Sequence, residues 1–321
     1  MNNLLITGGT GFFGRALLRH LEFLRLSNSN LPFEKITVVS RSPESFRLKY
    51  PSLSSMPWLT LHAGDVLDPT SLPQNGTYRF ILHAASDSTD TVGLTPLQSF
   101  RQIVDGTENM LKFAAARGVQ RFLLTSSGGA YGPQPSDMTA IPETHNAMPD
   151  PLNPLNTYGV AKRLAEHLCS HYGHQYGFEI VIARCFAFVG EDLPKNAHFA
   201  IGNFIRDALE RTEITVNGNG SPIRSYMHQN DLAHWLLTLL QLGSPGHAYN
   251  VGSDEALSIA DTASLVRDIL APQKPVQIKG AVLADNVYRN RYIPDISKAK
   301  KELGLEVTVS LAEAISLSAV R

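Results

Sequence analysis

Short apolar segments alternate along the chain with longer segments whose apolar residues recur at helical spacing. The short segments are rich in Val, Ile, Leu or Phe and predict strands at Asn3–Thr7, Lys35–Ser40, Thr60–Ala63, Phe80–His83, Arg121–Ser126, Glu179–Cys185 and Ala248–Val251. The clearest predicted helices are Gly14–Leu26, Phe100–Arg117 and Tyr158–Tyr176. Because such alternation builds a parallel sheet with helices on both faces, it predicts a doubly wound α/β fold.

The pattern changes after Gly190, where loops rich in Pro, Gly and Asn enclose a predicted helix, Ile201–Arg211, and a predicted strand, Glu213–Val216. We interpret this part as a smaller α/β domain that is interleaved with the first, because no long linker separates the two. The predicted boundaries are 1–189 with about 229–251 for the larger domain, and 190–228 with 252–321 for the smaller one.

Composition and charge exclude several classes of function. The 321 residues include 28 Lys and Arg against 29 Asp and Glu, so the formal net charge of −1 creates no field that attracts nucleic acid. The two cysteines, Cys169 and Cys185, predict neither a disulfide framework nor a thiolate metal site. No apolar run approaches the roughly 18 residues of a membrane span, and Gly8 comes too early for a signal peptide. We therefore expect a cytoplasmic protein without nucleic-acid, membrane or metal partners.

A glycine-rich turn follows the first predicted strand and opens the first predicted helix. Its sequence is Gly8-Gly9-Thr10-Gly11-Phe12-Phe13-Gly14. A strand, a tight turn and a helix N-terminus bring backbone N–H groups and the positive end of the helix dipole against a pyrophosphate, an approach that side chains at the glycines would block. The turn therefore predicts a Rossmann-type dinucleotide-binding site.

The end of the second predicted strand bears on the choice of dinucleotide. Proteins that prefer NAD usually carry an acidic residue there, whereas this chain has Ser40 and Arg41. A serine hydroxyl and a guanidinium can both bind a 2′-phosphate, so the sequence favours NADP(H) and leaves NAD(H) open. After the third strand, Asp65 offers its carboxylate either to the adenine amino group or to the turn before Pro69, and both readings stay open.

Tyr158 and Lys162 stand four residues apart in a predicted helix and therefore share one face. A nearby ammonium stabilises a phenolate, which lowers a tyrosine pKa from about 10 toward neutral pH and lets Tyr158 exchange a proton during hydride transfer. Ser127 lies just past the fifth predicted strand, and ligands of open parallel sheets bind outside the carboxyl ends of the strands. We predict that Ser127, Tyr158 and Lys162 are the catalytic residues.

Together these motifs resemble the extended short-chain dehydrogenase/reductase superfamily and, within it, the NAD(P)-dependent nucleotide-sugar epimerase/dehydratase family. The resemblance covers nearly the whole chain. Besides the glycine turn and Tyr-x-x-x-Lys, it rests on Gly64-Asp65-Val66, His83-Ala84-Ala85, Arg184-Cys185-Phe186, Arg224-Ser225-Tyr226-Met227-His228 and Asp231-Leu232-Ala233, in this order. It implies that the smaller domain binds a nucleotide-diphosphate sugar. It also implies a homodimer in which Phe100–Arg117 and Tyr158–Tyr176 form the contact.

The resemblance implies a role for each matching residue. Tyr158 would be the acid/base, Lys162 would hold the nicotinamide ribose, and Ser127 would bind the sugar oxygen. Cofactor contacts would come from Gly8, Thr10, Gly11, Phe12, Phe13, Gly14, Ser40, Arg41, Asp65, Val66, Ala84, Ala85, Tyr158, Lys162 and Cys185. The substrate would be bound by Ser126, Ser127, Arg224 and one of Arg289 and Arg291, with the arginines on its pyrophosphate.

Two departures from the family pattern bear on the reaction. Dehydratases of the family carry an Asp-Glu pair directly after the catalytic hydroxyl residue, where this chain has Gly128 and Gly129. Eliminating water needs an acid and a base at adjacent sugar carbons, so the glycines disfavour dehydration. Ala187 also replaces the Asn of the family's usual Arg-x-Phe-Asn.

The expected activity is therefore NADP(H)-dependent reduction of a nucleotide-linked 4-keto-6-deoxyhexose. The alternative is an NAD-dependent nucleotide-sugar 4-epimerase, with a 4,6-dehydratase behind it. A protein of a different class, which binds NADP(H) as a sensor without turnover, could use the same fold. The intact set of Ser127, Tyr158 and Lys162 argues against the sensor, because mere binding does not require proton transfer.

Overall fold

The computed structural model describes residues 2–27, 33–86, 93–197, 199–280 and 290–320. The strands of the described residues are β1 (Leu4–Thr7), β2 (Ile36–Ser40), β3 (Leu59–Ala63), β4 (Phe80–His83), β5 (Arg121–Ser127), β6 (Glu179–Cys185), β7 (Phe188–Val189), β8 (Ile214–Val216), β9 (Ile223–Arg224), β10 (Met227–His228), β11 (His247–Val251), β12 (Leu257–Ser258), β13 (Val276–Ile278) and β14 (Arg291–Tyr292). The α-helices are α1 (Phe12–Leu26), α2 (Pro43–Lys49), α3 (Pro51–Ser54), α4 (Pro96–Ala116), α5 (Thr157–Tyr176), α6 (Ala200–Glu210), α7 (Gln229–Leu242), α8 (Ile259–Leu270), α9 (Ser297–Leu303) and α10 (Leu311–Ala319).

A seven-stranded sheet in the order β11-β6-β5-β4-β1-β2-β3 is the centre of the fold. The pairs β1–β2, β1–β4, β2–β3 and β4–β5 are parallel, and every residue of β1 and β4 is buried, as expected for strands covered on both faces. The chain builds β1, β2 and β3 in one direction and then returns to place β4 on the other side of β1. Ligands of such sheets bind at the carboxyl ends of the strands where this reversal occurs.

The predicted fold class is confirmed, and the strand bounds agree with the predictions to within one residue. The start of α4 was predicted at Phe100, but the helix begins at Pro96. A capping box causes the difference: Thr95 accepts a hydrogen bond from the Gln98 backbone, and the Gln98 side chain accepts one from the Thr95 backbone. Helix α1 begins at Phe12 rather than the predicted Gly14, so the helix includes two more residues of the glycine turn.

Residue contacts divide the chain into two compact units. The first contains the described residues of 1–130, 148–184 and 233–249. Within it, α4 and α5 pack together, and their buried side chains share one hydrophobic cluster with strands of the sheet. None of the helices among the described residues has both the length and the hydropathy that crossing a bilayer requires.

The second unit contains the described residues of 131–147, 185–232 and 250–321. Its strands form small sheets in the orders β10-β7, β12-β9-β14 and β13-β8, and helices α6, α8 and α10 pack on one another. The predicted domain boundaries remain a prediction, and they differ from this division chiefly because they placed 131–147 in the larger domain.

Residues 131–147 join the second unit through a buried polar network. Ile141 exchanges backbone hydrogen bonds with Ile293 and Asp295. The fully buried amide of Asn250 donates to the carbonyl oxygens of Ile141 and Asp295 and accepts from the Tyr131 hydroxyl. Every polar atom of this amide is therefore satisfied, as burial requires.

Candidate active site

The glycine turn between β1 and α1 has no room for side chains at two of its glycines. Gly8 has a φ of 71°, and a Cβ there would lie 2.3 Å from the Ala84 carbonyl oxygen at the end of β4. A Cβ on Gly14 would lie 2.2 Å from the Cα of Gly9, so the turn folds tightly against the helix that it opens. Glycine is required where backbones approach this closely.

The same turn fits the pyrophosphate of a dinucleotide. The N-cap of α1 is Gly11, which has no side chain to cap the helix, and the first turn of α1 contains no acidic residue. Backbone N–H groups and the helix dipole therefore present a positive surface suited to an anion. The Phe12 side chain is buried in the core, so only its backbone is left for the predicted cofactor contact, which stays a prediction.

At the end of β2, the structure brings Ser40 close to the glycine turn. The Ser40 and Thr10 hydroxyl oxygens lie 3.4 Å apart, and Ser40 Oγ also accepts a hydrogen bond from the Ser42 backbone at 3.2 Å. Arg41 is exposed at the same strand end. Thr10, Ser40 and Arg41 thus lie at the carboxyl ends of β1 and β2. A contact of Ser40 and Arg41 with a ribose 2′-phosphate stays a prediction.

The turn after β3 uses its carboxylates for local structure. Asp65 Oδ1 accepts from the Leu67 backbone at 2.9 Å, and it is Asp68, not Asp65, that caps the turn at Pro69. Val66 was also predicted to contact the cofactor, but its side chain lies in the hydrophobic core. An adenine contact by Asp65 stays a prediction.

A chain of hydrogen bonds fixes the end of β4, where Ala84 and Ala85 follow His83. The Ala85 N–H donates to Thr7 Oγ1 at 3.3 Å, and Thr7 Oγ1 lies 2.7 Å from His83 Nδ1. On the other side of the ring, His83 Nε2 lies 3.2 Å from Thr107 Oγ1, which donates to the carbonyl of Ile103. Because the Thr107 proton is already used, Nε2 must be the donor and Nδ1 the acceptor.

His83 is therefore a neutral structural histidine. The ring is 3% exposed, and its burial, together with the nearby charge of Lys162, lowers the pKa of His83 from 6.5 to about 3. Burial disfavours the imidazolium, and both ring nitrogens are already in hydrogen bonds. His83 holds β1, β4 and α4 together beside the glycine turn and stays uncharged near neutral pH.

The predicted catalytic residues come together at the carboxyl end of β5. Lys162 Nζ lies 5.8 Å from the centroid of the Tyr158 ring, and Ser127 Oγ accepts from the Gly129 backbone at 3.1 Å. A Cβ built on Gly129 would lie 3.4 Å from Ser127 Oγ and 3.8 Å from Tyr158 Cδ1. Ser127 and Tyr158 therefore flank position 129, and all four residues lie in the first unit.

Lys162 is almost fully buried, with 2% of its surface exposed. Its ammonium donates to the carbonyl oxygen of Thr125 at 2.8 Å and to Ser86 Oγ at 2.7 Å. A buried ammonium requires such acceptors, because it has left the water that solvated it. Sequence analysis found Lys162 but missed Ser86, which no motif marks.

Glu166 lies one helical turn beyond Lys162 and binds side chains of the neighbouring strands β5 and β6. Its carboxylate accepts from Arg184 Nε at 3.0 Å and from Arg184 Nη2 at 2.7 Å, and the Ser126 hydroxyl donates to it at 2.5 Å. The side chains of Glu166 and Arg184 are each 10% exposed. We call Glu166, Arg184 and Ser126 the Glu166 clamp. Substrate binding by Ser126 stays a prediction, and its hydroxyl donates to Glu166 in this structure. The spacing of Tyr158, Lys162 and Glu166, four residues each, was the signal that could have revealed the Glu166 clamp.

The remaining predicted residues belong to the second unit. Register pairs Arg291 with Ile223 and Tyr292 with Arg224, so Arg224 and Arg291 fall on opposite faces of the β9–β14 ribbon. The structure therefore does not bring these two arginines together. Cys185 is buried, and its carbonyl oxygen accepts from the Tyr292 hydroxyl at 3.5 Å. Arg289 lies outside the described residues.

Comparison with known proteins gives a consistent family assignment. Residues 4–252 match the model of the NAD dependent epimerase/dehydratase family. UDP-glucuronic acid decarboxylase 1 of Danio rerio is 30% identical over 321 residues, covering 98% of this chain and 71% of that protein. The enzyme of the same name from Arabidopsis thaliana is 28% identical over 314 residues, covering 97% and 68%.

Solved structures show the same fold. UDP-glucose 4-epimerase from Thermotoga maritima superposes with a TM-score of 0.81 at 22% identity, covering 99% of this chain and 97% of that one. A dTDP-glucose 4,6-dehydratase from Streptomyces venezuelae, solved with NAD, gives 0.84 at 23% identity, covering 99% and 95%. At these identities the likeness concerns the fold.

The buried imidazole generates a prediction about pH. Since the unfolded chain protonates His83 near pH 6.5 and the folded protein does not, protonation favours the unfolded state as the pH falls below that value. We expect the wild type to lose about 2 kcal/mol more of its free energy of unfolding than His83→Asn between about pH 7 and about pH 5. Urea unfolding at both pH values measures the difference, and parallel losses would contradict the neutral histidine.

The Glu166 clamp generates a prediction about stability. Glu166→Gln leaves the buried guanidinium of Arg184 without its counter-charge, so we expect the free energy of unfolding to fall by about 3 kcal/mol. Glu44→Gln is the matched control, because Glu44 pairs with Arg47 on the surface of α2. An exposed pair contributes less than about 1 kcal/mol. Equal losses in the two variants, measured by urea unfolding, would refute the clamp.

Proposed function

The chain belongs to the NAD dependent epimerase/dehydratase family, and within that family we propose that it is an NADP(H)-dependent reductase of a nucleotide-diphosphate 4-keto-6-deoxyhexose. The observation that carries this proposal is that Gly129, which has no side chain, lies between the predicted catalytic residues Ser127 and Tyr158. A side chain at Gly129 would begin within 4 Å of Ser127 Oγ and of the Tyr158 ring. The glycine supplies no acid or base there.

A site with one proton-transfer group suits hydride chemistry at a single carbon. Reduction of a ketone needs one hydride and one proton, whereas elimination of water also needs an acid and a base for the neighbouring carbons. The Ser127–Tyr158 pair meets the first requirement, and Gly128 and Gly129 leave the second unmet. This contrast favours the reductase over the dehydratase.

In the proposed reaction, Ser127 and Tyr158 donate hydrogen bonds to the 4-keto oxygen of the sugar and orient it. NADPH supplies the hydride when bound. Tyr158 gives its proton to the oxygen as negative charge develops there, and the ammonium of Lys162 stabilises the phenolate that remains. Burial of Lys162 strengthens this interaction, because water does not screen it.

Other residues would bind the ends of the two ligands. The glycine turn from Gly8 to Gly14 would hold the dinucleotide pyrophosphate. Arg224 in the second unit would bind the pyrophosphate of the sugar nucleotide, a role that suits a guanidinium. The cofactor preference for NADP(H) rests on Ser40 and Arg41.

We also propose a homodimer through the outer faces of α4 and α5, which sedimentation equilibrium would test.

A 4-epimerase is the second candidate, and the absence of an acid or base at Gly129 supports it as well. Epimerisation also uses a single proton-transfer residue, which takes a proton during oxidation and returns it during reduction. The relevant difference is the dinucleotide: an epimerase retains NAD through the cycle, whereas a reductase exchanges NADP(H) with each turnover. The decarboxylase named among the relatives provides a third substrate to test, UDP-glucuronic acid.

The deciding experiment identifies the dinucleotide and the turnover together. Mass spectrometry of the denatured purified protein would identify any retained dinucleotide, and absorbance would follow NADPH and NADH oxidation with a dTDP-linked 4-keto-6-deoxyhexose. An empty site with NADPH-dependent turnover supports the reductase. Retained NAD with interconversion of UDP-sugars supports the epimerase, and release of carbon dioxide from UDP-glucuronic acid supports a decarboxylase. Dinucleotide binding without turnover of any of these would favour the sensor.

Tyr158→Phe tests the proton donor. The substitution removes the hydroxyl and keeps the ring, so we expect turnover to fall by about a hundredfold or more while NADPH affinity stays within about twofold. Steady-state kinetics and fluorescence titration measure the two quantities. Full activity in this variant would contradict the acid/base role of Tyr158.

Arg41→Ala tests the cofactor preference. Removing a guanidinium from the 2′-phosphate should weaken NADPH binding about tenfold and leave NADH binding nearly unchanged. Arg47→Ala is the control, because Arg47 lies shortly after Arg41, on α2, and pairs with Glu44. If Arg41→Ala weakens the binding of NADPH and NADH equally, the proposed 2′-phosphate contact is wrong.

A further inference from the structure

A second guanidinium lies beside the glycine turn, on the helix that the turn opens. Arg15 is the fourth residue of α1, and its Nη1 donates to the carbonyl oxygen of Thr10 at 2.9 Å. The hydroxyl oxygen of the same threonine lies 3.4 Å from Ser40 Oγ at the carboxyl end of β2. Arg15 is therefore held, through one residue, next to the strand end at which Rossmann-type sites bind the ribose of a dinucleotide.

An aromatic ring also contacts this guanidinium. Arg15 Cζ lies 4.9 Å from the centroid of the Tyr50 ring, within the range of a cation–π contact. The ring is held in turn by Phe46, which is buried: the two ring centroids lie 5.3 Å apart, and the Tyr50 N–H donates to the Phe46 carbonyl at 2.8 Å. Contacts with Thr10 and Tyr50 thus restrict a side chain that has many rotamers in solution.

The choice of arginine at position 15 works against the helix that contains it. The residue lies in the first turn of α1, whose positive dipole end favours acidic side chains over basic ones. The segment between β2 and α3 adds further positive charge, because it contains Arg41, Arg47 and Lys49 against one carboxylate, Glu44. Positive charge thus gathers around the end of β2, an arrangement that suits an anion with more than one charge.

The 2′-phosphate of a dinucleotide is an anion of this kind. A phosphate monoester carries about 1.5 to 2 negative charges near pH 7, so a single guanidinium balances only part of its charge. A guanidinium has five N–H donors in a planar fork, so one bond to the Thr10 carbonyl is compatible with a contact to phosphate. Arg15 therefore has the charge and the donors that would complement Arg41 at the same strand end.

We propose that Arg15 is a second ligand of the 2′-phosphate and that Tyr50 is the residue that positions it. Arg15 binds the phosphate from α1, and Arg41 binds it from the end of β2. Thr10 and Tyr50 hold the Arg15 guanidinium in place, and Tyr50 itself acts through Arg15. The inference rests on the NADP(H) preference proposed above and extends it to a residue on a different element of the fold.

Binding of nucleotide fragments tests Arg15 without any turnover. Isothermal titration calorimetry compares adenosine 2′,5′-bisphosphate, which has the 2′-phosphate, with adenosine 5′-monophosphate, which lacks it. We expect Arg15→Met to weaken binding of the bisphosphate about tenfold and to change binding of the monophosphate by less than about twofold. Equal weakening of both nucleotides, or weakening of neither, would overturn the Arg15 contact.

Arg19→Met is the matched control for this experiment. Arg19 lies on the same helix and carries the same charge, but it is about 6 Å farther along α1 from the glycine turn. Both nucleotides should bind to Arg19→Met within about twofold of the wild type. A tenfold loss of the bisphosphate in this control would assign the effect to general charge and overturn the specific contact.

Variants of Tyr50 test the positioning role. Tyr50→Leu removes the ring and should weaken the bisphosphate about threefold, whereas Tyr50→Phe keeps the ring and should bind like the wild type. Combining Tyr50→Leu with Arg15→Met should cost no more than Arg15→Met alone, because Tyr50 acts through Arg15. Additive losses, or no rescue by phenylalanine, would refute the role of Tyr50. If Arg15→Met fails to fold, Tyr50→Leu and Tyr50→Phe still decide the inference.

The outcomes separate this inference from the proposed function. If the wild type binds the bisphosphate no more tightly than the monophosphate, the NADP(H) preference and the Arg15 contact both fail. If the wild type prefers the bisphosphate and Arg15→Met keeps that preference, the Arg15 contact alone fails. If Arg15→Met loses the preference while the wild type oxidises NADPH with no keto-sugar, the reductase is wrong and the Arg15 contact stands.

Discussion

The need to stabilise one buried ammonium organises the centre of this molecule. Lys162 carries its charge into a region that water hardly reaches, and such a charge is tolerated only where acceptors are already in place. The acceptors come from the ends of β4 and β5, so α5 must lie against those two strand ends. Tyr158 lies one turn earlier on the same helix and is thereby held beside Ser127. The fold thus places proton-transfer chemistry where a parallel sheet binds its ligands.

A second anchor makes this placement specific. Glu166 joins α5 to β5 through Ser126 and to β6 through Arg184, one turn beyond the buried lysine. A buried ion pair adds little net stability over an apolar contact, but it penalises any arrangement that separates the charges. These two polar anchors add to the apolar packing of α5 against α4.

The sequence predicted what depends on local pattern and missed what depends on tertiary contact. Strands β4 and β6 were predicted to the residue because both are short apolar runs between polar turns. Tyr158, Lys162 and Ser127 followed from spacing and strand ends. Ser86 and Thr7 could not be found, since their partners lie 76 residues away in sequence. The motif that contains Val66 predicts a cofactor contact, and only the structure reveals that its apolar side chain lies in the core.

The network around Asn250 has a consequence for synthesis of the chain on the ribosome. Its amide joins Tyr131, Ile141 and Asp295, so the second unit cannot complete this network until Asp295 has left the exit tunnel. The described residues of the first unit end at 249 and emerge earlier. The nascent chain therefore holds residues 131–147 without their final partners while more than a hundred later residues are translated. During this interval Tyr131 and Ile141, which are fully buried in the folded protein, still lack the partners that bury them.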